Sequence, residues 1–191
     1  MRDLSYDSVA PLPFEADGGG ASMTLVNPSS VPDHSLASNW QASGITGGTP
    51  GGAEVAPQSY GDWATATGAG DPDDDQEGDR VSNALEWLLG GDPFVSSPEI
   101  LPSASVQSVN VSGVEDDYLT ITFTHLISAE GVTTTAQLSP DLVSWQGGPG
   151  FVSLVSRVYH GDGTATSTFR SATPIDPEIR QFIRAQFETG L

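Results

Sequence analysis

The chain has 191 residues and a formal net charge of −19, from 25 acidic residues against six arginines and no lysine. Nucleic acids and anionic membrane surfaces are poor partners for such a chain, because both are bound by clustered cations. The absence of cysteine excludes disulfides, thiolate metal sites and a cysteine nucleophile. No apolar run approaches the roughly 18 residues of a membrane span, so membrane insertion is not expected.

The N-terminal third, residues 1–57, is rich in Gly, Ser, Pro and Asn. A strand is predicted at Ser22–Val26 and a shorter one at Leu4–Val9, whereas Ile45–Ala53 has the composition of a loop or linker. We therefore predict an extended, Gly/Pro-rich β segment that does not build a core by itself. The first residues are polar and lack the apolar stretch of a signal peptide, so this chain is expected to be a mature or truncated piece.

Residues 58–93 are predicted to form a helix, an acidic loop and a second helix. Apolar residues recur at helical spacing from Tyr60 to Thr67, and Gly68 interrupts the pattern. After the acidic run, a helix is predicted over Val81–Leu89. A Gly-Gly pair followed by Asp-Pro, Gly90–Pro93, is typical of a helix end.

The C-terminal region, residues 94–191, is predicted to be a β-sandwich of Ig-like or jelly-roll-like type. Leu119, Ile121 and Phe123 alternate with threonines, which is the period-two pattern of a half-buried strand. Short strands separated by turn signals at this spacing are typical of sandwiches. The other predicted strands are Val106–Val111, Val132–Leu138, Phe151–Ser156, Thr164–Arg170 and Gln181–Phe187.

The acidic run has the spacing of an EF-hand calcium loop. Calcium takes six to eight oxygen ligands, and such a loop supplies them from positions 1, 3, 5, 7, 9 and 12, the last being a bidentate Glu. Position 7 uses its backbone carbonyl, and position 9 binds directly or through water. Position 6, usually a glycine for the sharp turn, is Arg80. Counting back from position 12, the candidate ligands are Asp75, Glu77, Asp79, Val81, Asn83 and Glu86.

A second ligand register is open. It takes Asp71, Asp73 and Asp75 as the first ligands, and it requires about four additional residues before the helix. Both registers share Asp75, Asn83 and Glu86. A solvated acidic linker is the simpler interpretation of an aspartate run, but it does not account for the Asn-x-x-Glu on the amphipathic helix that follows.

This central segment resembles a family of calcium repeats. It is similar to a segment common in secreted proteins of Verrucomicrobia and Planctomycetes, where it resembles a single dockerin-like or thrombospondin type 3-like repeat. The typical repeat has a shorter D-P-D-x-D-G loop than this chain. The residues that carry the resemblance are Tyr60–Ala64, Asp71–Asp75, Val81–Trp87 and Gly90–Pro93.

Two further resemblances cover the flanking regions. Residues 1–53 resemble the end of a bacterial lamin-tail domain, an Ig-like sandwich whose remaining strands would lie upstream. The C-terminal part resembles a β-domain that ends many of the same secreted proteins. Together they imply an extracellular or cell-surface location and assign no enzyme activity. The motifs involved include Ala16–Ser22, Leu25–Pro28, Asn39–Ser43, Gly48–Gly51, Gln137–Trp145 and Arg180–Phe187.

No acid–base site is expected, because the three histidines, His34, His125 and His160, are scattered without the spacing of a catalytic triad. The chain is therefore predicted not to be an enzyme. The expected function is a non-catalytic, calcium-stabilised structural or adhesive module. Self-assembly into a filament is a further expectation, through strand addition by residues 1–30.

Two alternatives to the structural module remain open at this point. One is a carbohydrate-binding module that stacks polysaccharide on exposed rings of Trp40, Trp145 or Tyr159. The other is the non-catalytic tail of a secreted hydrolase.

Overall fold

A computed structural model describes residues 21–48, 54–56, 58–160 and 162–189. Of these residues, 44% are in strands and 15% in helices, so the described part is mainly β, which confirms the predicted fold class. It divides into two compact units, one of residues 1–57 with 161–163 and one of residues 58–160 with 164–191.

In the first unit, the strands β1 (Ala21–Leu25) and β2 (Trp40–Thr46) form an antiparallel pair. Strand β1 lies where a strand was predicted, whereas β2 was not predicted, and the interpretation of Ile45 and Thr46 as loop was wrong. Strand β2 contains Ala, Ser and Gly, so it has little intrinsic strand preference and forms through pairing with β1. Its Ser43 hydroxyl accepts a hydrogen bond from the Ser22 N–H at 2.8 Å. The predicted strand Leu4–Val9 lies outside the described residues.

The second unit begins with the two helices α1 (Tyr60–Thr67) and α2 (Asn83–Leu89). Helix α1 is capped by Ser59, whose hydroxyl accepts the Asp62 N–H, and it ends at Gly68 in the left-handed conformation. Helix α2 begins two residues later than predicted. Its first N–H groups donate to carbonyls of the acidic loop, from Asn83 to Asp74 at 2.8 Å and from Ala84 to Pro72 at 3.0 Å. The loop therefore sets where α2 starts.

Two antiparallel sheets follow, with the strand orders β3-β4-β8-β7 and β6-β5-β9. If the strands are lettered A, B, C, C′, D, E and F in chain order, the sheets read ABED and C′CF, which is an Ig-like order. The two-residue strand β6 was not predicted. The strands are β3 (Ser103–Val111), β4 (Val114–Leu126), β5 (Val132–Ser139), β6 (Gln146–Gly147), β7 (Val152–Tyr159), β8 (Thr164–Ser171) and β9 (Phe182–Thr189).

The core of the sandwich lies between the two sheets. Ile121 and Phe123 of β4 are each 3% exposed and pack with Val152. The Phe123 ring stacks on Phe169, with 6.0 Å between centroids, and meets Phe187 of the other sheet edge-on at 5.6 Å. The alternation of apolar residues with threonines therefore marks one buried face of β4, as predicted.

A second apolar cluster joins the helices to the end of the sandwich. Its buried members are Tyr60, Trp87, Leu88 and Leu89. Packed against them are side chains from the sandwich and from the segment that leads into it: Ile100, Leu126, Val132 and Phe187. Because one cluster contains residues from both parts, the helix pair and the sandwich are expected to unfold together.

Candidate metal centre

Three carboxylates of the acidic loop lie together. Asp75, Glu77 and Asp79 each offer one oxygen, and these oxygens lie within 4.8 Å of one another. The three residues occupy positions 1, 3 and 5 of the register counted back from Glu86. Such a group of hard oxygen ligands could hold a metal ion.

Backbone hydrogen bonds hold the first of these carboxylates inside the loop. The Asp75 carboxylate accepts from the N–H groups of Gly78 at 2.8 Å, Asp79 at 3.2 Å and Arg80 at 2.9 Å. Three donors from consecutive residues curve the chain around this side chain. These hydrogen bonds close the loop without the help of a cation.

Asp79 ties the loop to the segment that follows α2. Its Oδ2 accepts the Ser97 N–H at 2.7 Å, and its Oδ1 accepts the Val81 N–H at 2.8 Å. These two bonds, that from Ser97 first, lower the pKa of Asp79 below its ordinary value. The carboxylate therefore stays ionised, as a cation ligand must.

Three side chains of the loop and of α2 bury oxygen atoms that have no hydrogen-bond donor. They are both carboxylate oxygens of Glu77, both of Glu86, and Oδ1 of Asn83. Glu86 and Asn83 are fully buried, at 0% exposure. Burying a polar oxygen without a partner costs roughly 1–3 kcal/mol, and more when the group is charged. A bound cation would give the neighbouring Glu77 and Glu86 carboxylates the partner that they lack.

The two glutamates act on each other. Burial first, and then the negative charge of Glu77, raise the pKa of Glu86 to about 7. Without a cation, the contact between the two carboxyl groups is favourable only while a proton lies between them. When both are ionised they repel each other, with Asp79 and Asp92 adding to the repulsion. A divalent cation would replace that proton.

The structure brings together four residues of one ligand register, Asp75, Glu77, Asp79 and Glu86. Glu77 lies beside Glu86, and it also belongs to the cluster with Asp75 and Asp79, while Asn83 and Val81 are fully buried next to them in sequence. The assignment of all six residues as ligands stays a prediction.

The two additional aspartates of the other register lie apart from this cluster. Asp71 and Asp73 are exposed, and neither belongs to the three-carboxylate group. The main-chain oxygen of Asp71 instead accepts a hydrogen bond from Asn83 Nδ2 at 2.8 Å. Asp71 therefore orients Asn83 through its backbone, a contact that spacing alone does not reveal.

Arg80, at position 6, adopts the backbone conformation for which glycine is usual. Its φ is 76°, in the left-handed region. An arginine there carries a steric cost from its Cβ, which glycine lacks. The loop thus turns through a left-handed residue at Arg80 although that residue is not glycine.

We expect Arg80→Gly to raise the free energy of unfolding by about 1 kcal/mol through relief of this strain. Urea denaturation followed by circular dichroism would measure the change. Arg80→Ala is the matched control, because it removes the same positive charge but keeps the Cβ. A gain of equal size in both variants would assign the effect to charge and contradict the backbone explanation.

Comparisons of the chain with protein-family models, with curated proteins and with solved structures find no match. The geometry described above therefore carries the functional argument. In the part of the chain that the structure describes, the helices are too short or too polar to cross a bilayer.

Two of the three aromatic rings considered for carbohydrate stacking, Trp40 and Trp145, already have protein partners. The Arg184 guanidinium lies 4.2 Å from the centre of the half-buried Trp145 ring, and Trp145 Nε1 donates to the Leu142 carbonyl at 3.2 Å. Half-buried Trp40 donates from Nε1 to the His34 carbonyl at 3.0 Å. One face of Trp145 is thus covered, which leaves less ring for a sugar.

One histidine has partners that its sequence neighbours do not suggest. His125 is 4% exposed, and its Nε2 lies 2.9 Å from the hydroxyl of Ser167, which also accepts a hydrogen bond from Arg157 Nε at 2.9 Å. Ser167 is fully buried at 0% exposure, so a substrate cannot reach this Ser–His pair. Burial first, then the Arg157 charge, lower the pKa of His125 from 6.5 to about 4.

The low pKa of His125 predicts a loss of stability in mild acid. Between pH 6.5 and about 4 the unfolded chain takes up a proton at this position that the folded protein excludes. Relative to His125→Gln, the wild type is expected to lose on the order of 3 kcal/mol of unfolding free energy across that window. Urea denaturation of both proteins over this pH range tests it, and parallel curves would contradict it.

Proposed function

We propose that this chain binds calcium in the loop from Asp75 to Glu86 and serves as a calcium-stabilised, non-catalytic structural or adhesive module outside the cell. The observation that carries the proposal is the set of buried oxygens on Glu77, Asn83 and Glu86 that lack donors, beside the carboxylates of Asp75 and Asp79. A fold that leaves such groups unpaired is incomplete without a cation.

The chemistry of these side chains favours calcium among the common metals. Every candidate donor is an oxygen, which suits hard cations and not zinc or copper. Magnesium requires a near-ideal octahedron at short distances and usually keeps several waters. Calcium accepts six to eight oxygens in an irregular arrangement, which matches a loop that offers several carboxylates, an amide and a backbone carbonyl.

A structural role follows from where the loop is attached. Asp79 accepts the Ser97 N–H on the way to β3, and Glu86 lies on α2 next to Trp87 and Leu88 of the cluster that packs on the sandwich. An ion that fixes the loop would therefore also fix α2 against the sheets. Binding to the folded state alone would stabilise it by about 2.7 kcal/mol at a hundredfold excess over the dissociation constant.

The composition supports an extracellular location for this module. A net charge of −19 suits a calcium-rich medium, where divalent cations screen the repulsion between like charges. The resemblance of the central segment to calcium repeats of secreted proteins points the same way. Assembly with other copies of the chain belongs to the same proposal.

Calorimetric titration with calcium of the metal-free protein tests the proposal. The wild type is expected to release or absorb heat on binding, Asp79→Asn to bind at least about tenfold more weakly, and Asp73→Asn to bind like the wild type. Both substitutions remove one negative charge, so comparing the two variants separates the loss of a ligand from a general electrostatic effect. Absence of a calcium signal in the wild type would overturn the proposal. A larger loss in Asp73→Asn would instead favour the register that begins at Asp71.

A further inference from the structure

No strand of the described residues covers the inner face of strand β3. Ala104 and Val106 of β3 pair with Ile121 and Leu119 of β4, and directly paired residues share a face of the sheet. Ile121 is buried in the core at 3% exposure, yet Val106, on the same face one strand further out, is 58% exposed. The opposing sheet therefore ends before it reaches β3.

The edge of that opposing sheet is also open. Strand β9 pairs with β5 along its whole length, and no strand of the described residues pairs with its other edge. In an Ig-like sandwich the last strand, G, pairs with F, which corresponds to β9 here. An unpaired edge beside an uncovered apolar face is a site for strand addition.

A groove lies beside the start of β3. It has a volume of about 340 Å³, and its lining includes Leu101, Phe123 and the carboxylate-bearing Glu99. Leu101 is 40% exposed. A strand that runs antiparallel to β9 would enter at this end, because β9 finishes beside the helices and β3 starts there.

We propose that residues 4–9 of a second copy of this chain fill the open position, so that copies join by strand exchange. The inference rests on the proposed structural role of the module. Residues 1–20 precede β1, a length that spans up to roughly 65 Å when extended and so can reach a neighbouring molecule. The segment alternates Leu4 and Tyr6 with polar Ser5 and Asp7, which suits a strand with one apolar face.

The position of Arg2 favours this orientation. Six residues in a strand cover roughly 20 Å, most of the length of β9. With residues 4–9 antiparallel to β9, Arg2 lies at the end that carries Glu99. Arg2 is one of only six arginines in a chain of 191, and it lies two residues before the predicted strand. Leu4 and Tyr6 would then cover Val106 and Leu119.

Size-exclusion chromatography with light scattering, on the full chain in calcium, tests the proposal. The wild type is expected to have a mass above one chain that rises with concentration. Val106→Asp should weaken this association at least about tenfold, because the donor strand would bury the new charge. Val158→Asp is the matched control, since Val158 is 56% exposed on the outer face of β7, and it is expected to associate like the wild type.

The donor is tested separately with the double variant L4D/Y6D. It should be monomeric alone, and it should bind a synthetic peptide of residues 1–12, whereas L4D/Y6D/V106D should not. A monomeric wild type at all concentrations, or association that persists in Val106→Asp, would overturn the proposal. A monomeric wild type whose stability drops in L4D/Y6D would show that the segment fills the position within its own chain.

Failure of the proposed function would give a different result from failure of this inference. Calcium titration of Val106→Asp is expected to match the wild type, because Val106 lies outside the loop. Absence of calcium binding with association intact would remove only the calcium role. Normal calcium binding in a monomeric wild type would remove the strand exchange and the assembly of copies, but not the calcium role.

Discussion

Glu86→Gln is expected to stabilise the protein when calcium is absent and to destabilise it, relative to wild type, when calcium is present. Thermal unfolding in EDTA at about pH 8 should give a higher midpoint for the variant, because the wild type then holds two ionised carboxylates against each other. In saturating calcium the order should reverse. Few substitutions stabilise a protein without a ligand and destabilise it with that ligand, so this reversal is a specific signature of the site.

The pH dependence of the metal-free protein has a definite sign. The pKa of Glu86 is raised from 4.5 to about 7, so in that window the folded protein holds a proton that the unfolded chain has released. The contribution of Glu86 to stability is present below pH 4.5 and is lost as the pH rises through about 7. The variant, whose amide does not ionise, should lack this loss.

In calcium, the wild type is stabilised by binding free energy that the variant largely lacks. Glu86 supplies two oxygens at position 12 of the loop, and its amide replacement removes the charge and one of the acceptors. At a hundredfold excess of calcium over the dissociation constant, the wild type should gain about 2.7 kcal/mol, which is a rise on the order of 10 °C in melting temperature.

The control for this experiment is Glu178→Gln, which removes one negative charge from an exposed residue far along the chain. It should shift with calcium as the wild type does. If Glu86→Gln kept the full calcium shift, Glu86 would not be a ligand. If the variant were less stable than wild type in EDTA as well, the conflict between the two glutamates would not exist.

Features encoded by neighbouring residues could be predicted from the sequence. The end of α2 follows from Gly90, which adopts a φ of 84° at the C-cap, and the buried face of β4 follows from the alternation around Ile121. Both depend on residues within one element. Strand β2 was missed because it depends on pairing with β1, from which it is separated by 14 residues of chain.

The candidate site shows the same division. Spacing alone identified the acidic residues and the Asn-x-x-Glu of α2, but it left two registers open. The difference between them lies in the turn, where the Asp75 carboxylate collects three N–H groups and Arg80 takes a left-handed conformation. Longer-range contacts, such as Asp79 with the Ser97 N–H, leave no local signal because their partners are set by the folded chain.

Trp87→Ala is expected to lower the free energy of unfolding by roughly 3–5 kcal/mol, the largest single-residue effect that we predict. Trp87 is 2% exposed and sits at the centre of the cluster that joins the helices to the sandwich. Its ring meets Tyr60 edge-on at 5.8 Å, and its Nε1 donates to Gln58 Oε1 at 3.2 Å. The substitution leaves a cavity and removes the hydrogen-bond donor of the Gln58 side-chain oxygen.

The substitution is expected to destabilise the strands of the sandwich as well as the helices. A domain of this kind has roughly 5–15 kcal/mol of stability in total, so the variant should unfold at a much lower urea concentration. Because the cluster includes Leu126 and Phe187 of the sandwich, the strands should unfold in the same transition as the helices. Calcium affinity should also fall, because the packing of Trp87 holds α2 in place and Glu86 lies on the same helix.

Trp145→Ala provides the comparison, since it also removes an indole, from a half-buried corner after β5. We expect it to cost about 1 kcal/mol, through the lost contact with Arg184, and to leave calcium affinity unchanged. Circular dichroism in urea would follow the strands, and calorimetry the calcium. If the strands of Trp87→Ala unfolded at the wild-type urea concentration while α2 was lost, the helix pair would be an independent element. Calcium could then order the loop without stabilising the sandwich, and the structural role proposed for the ion would be restricted to the helices.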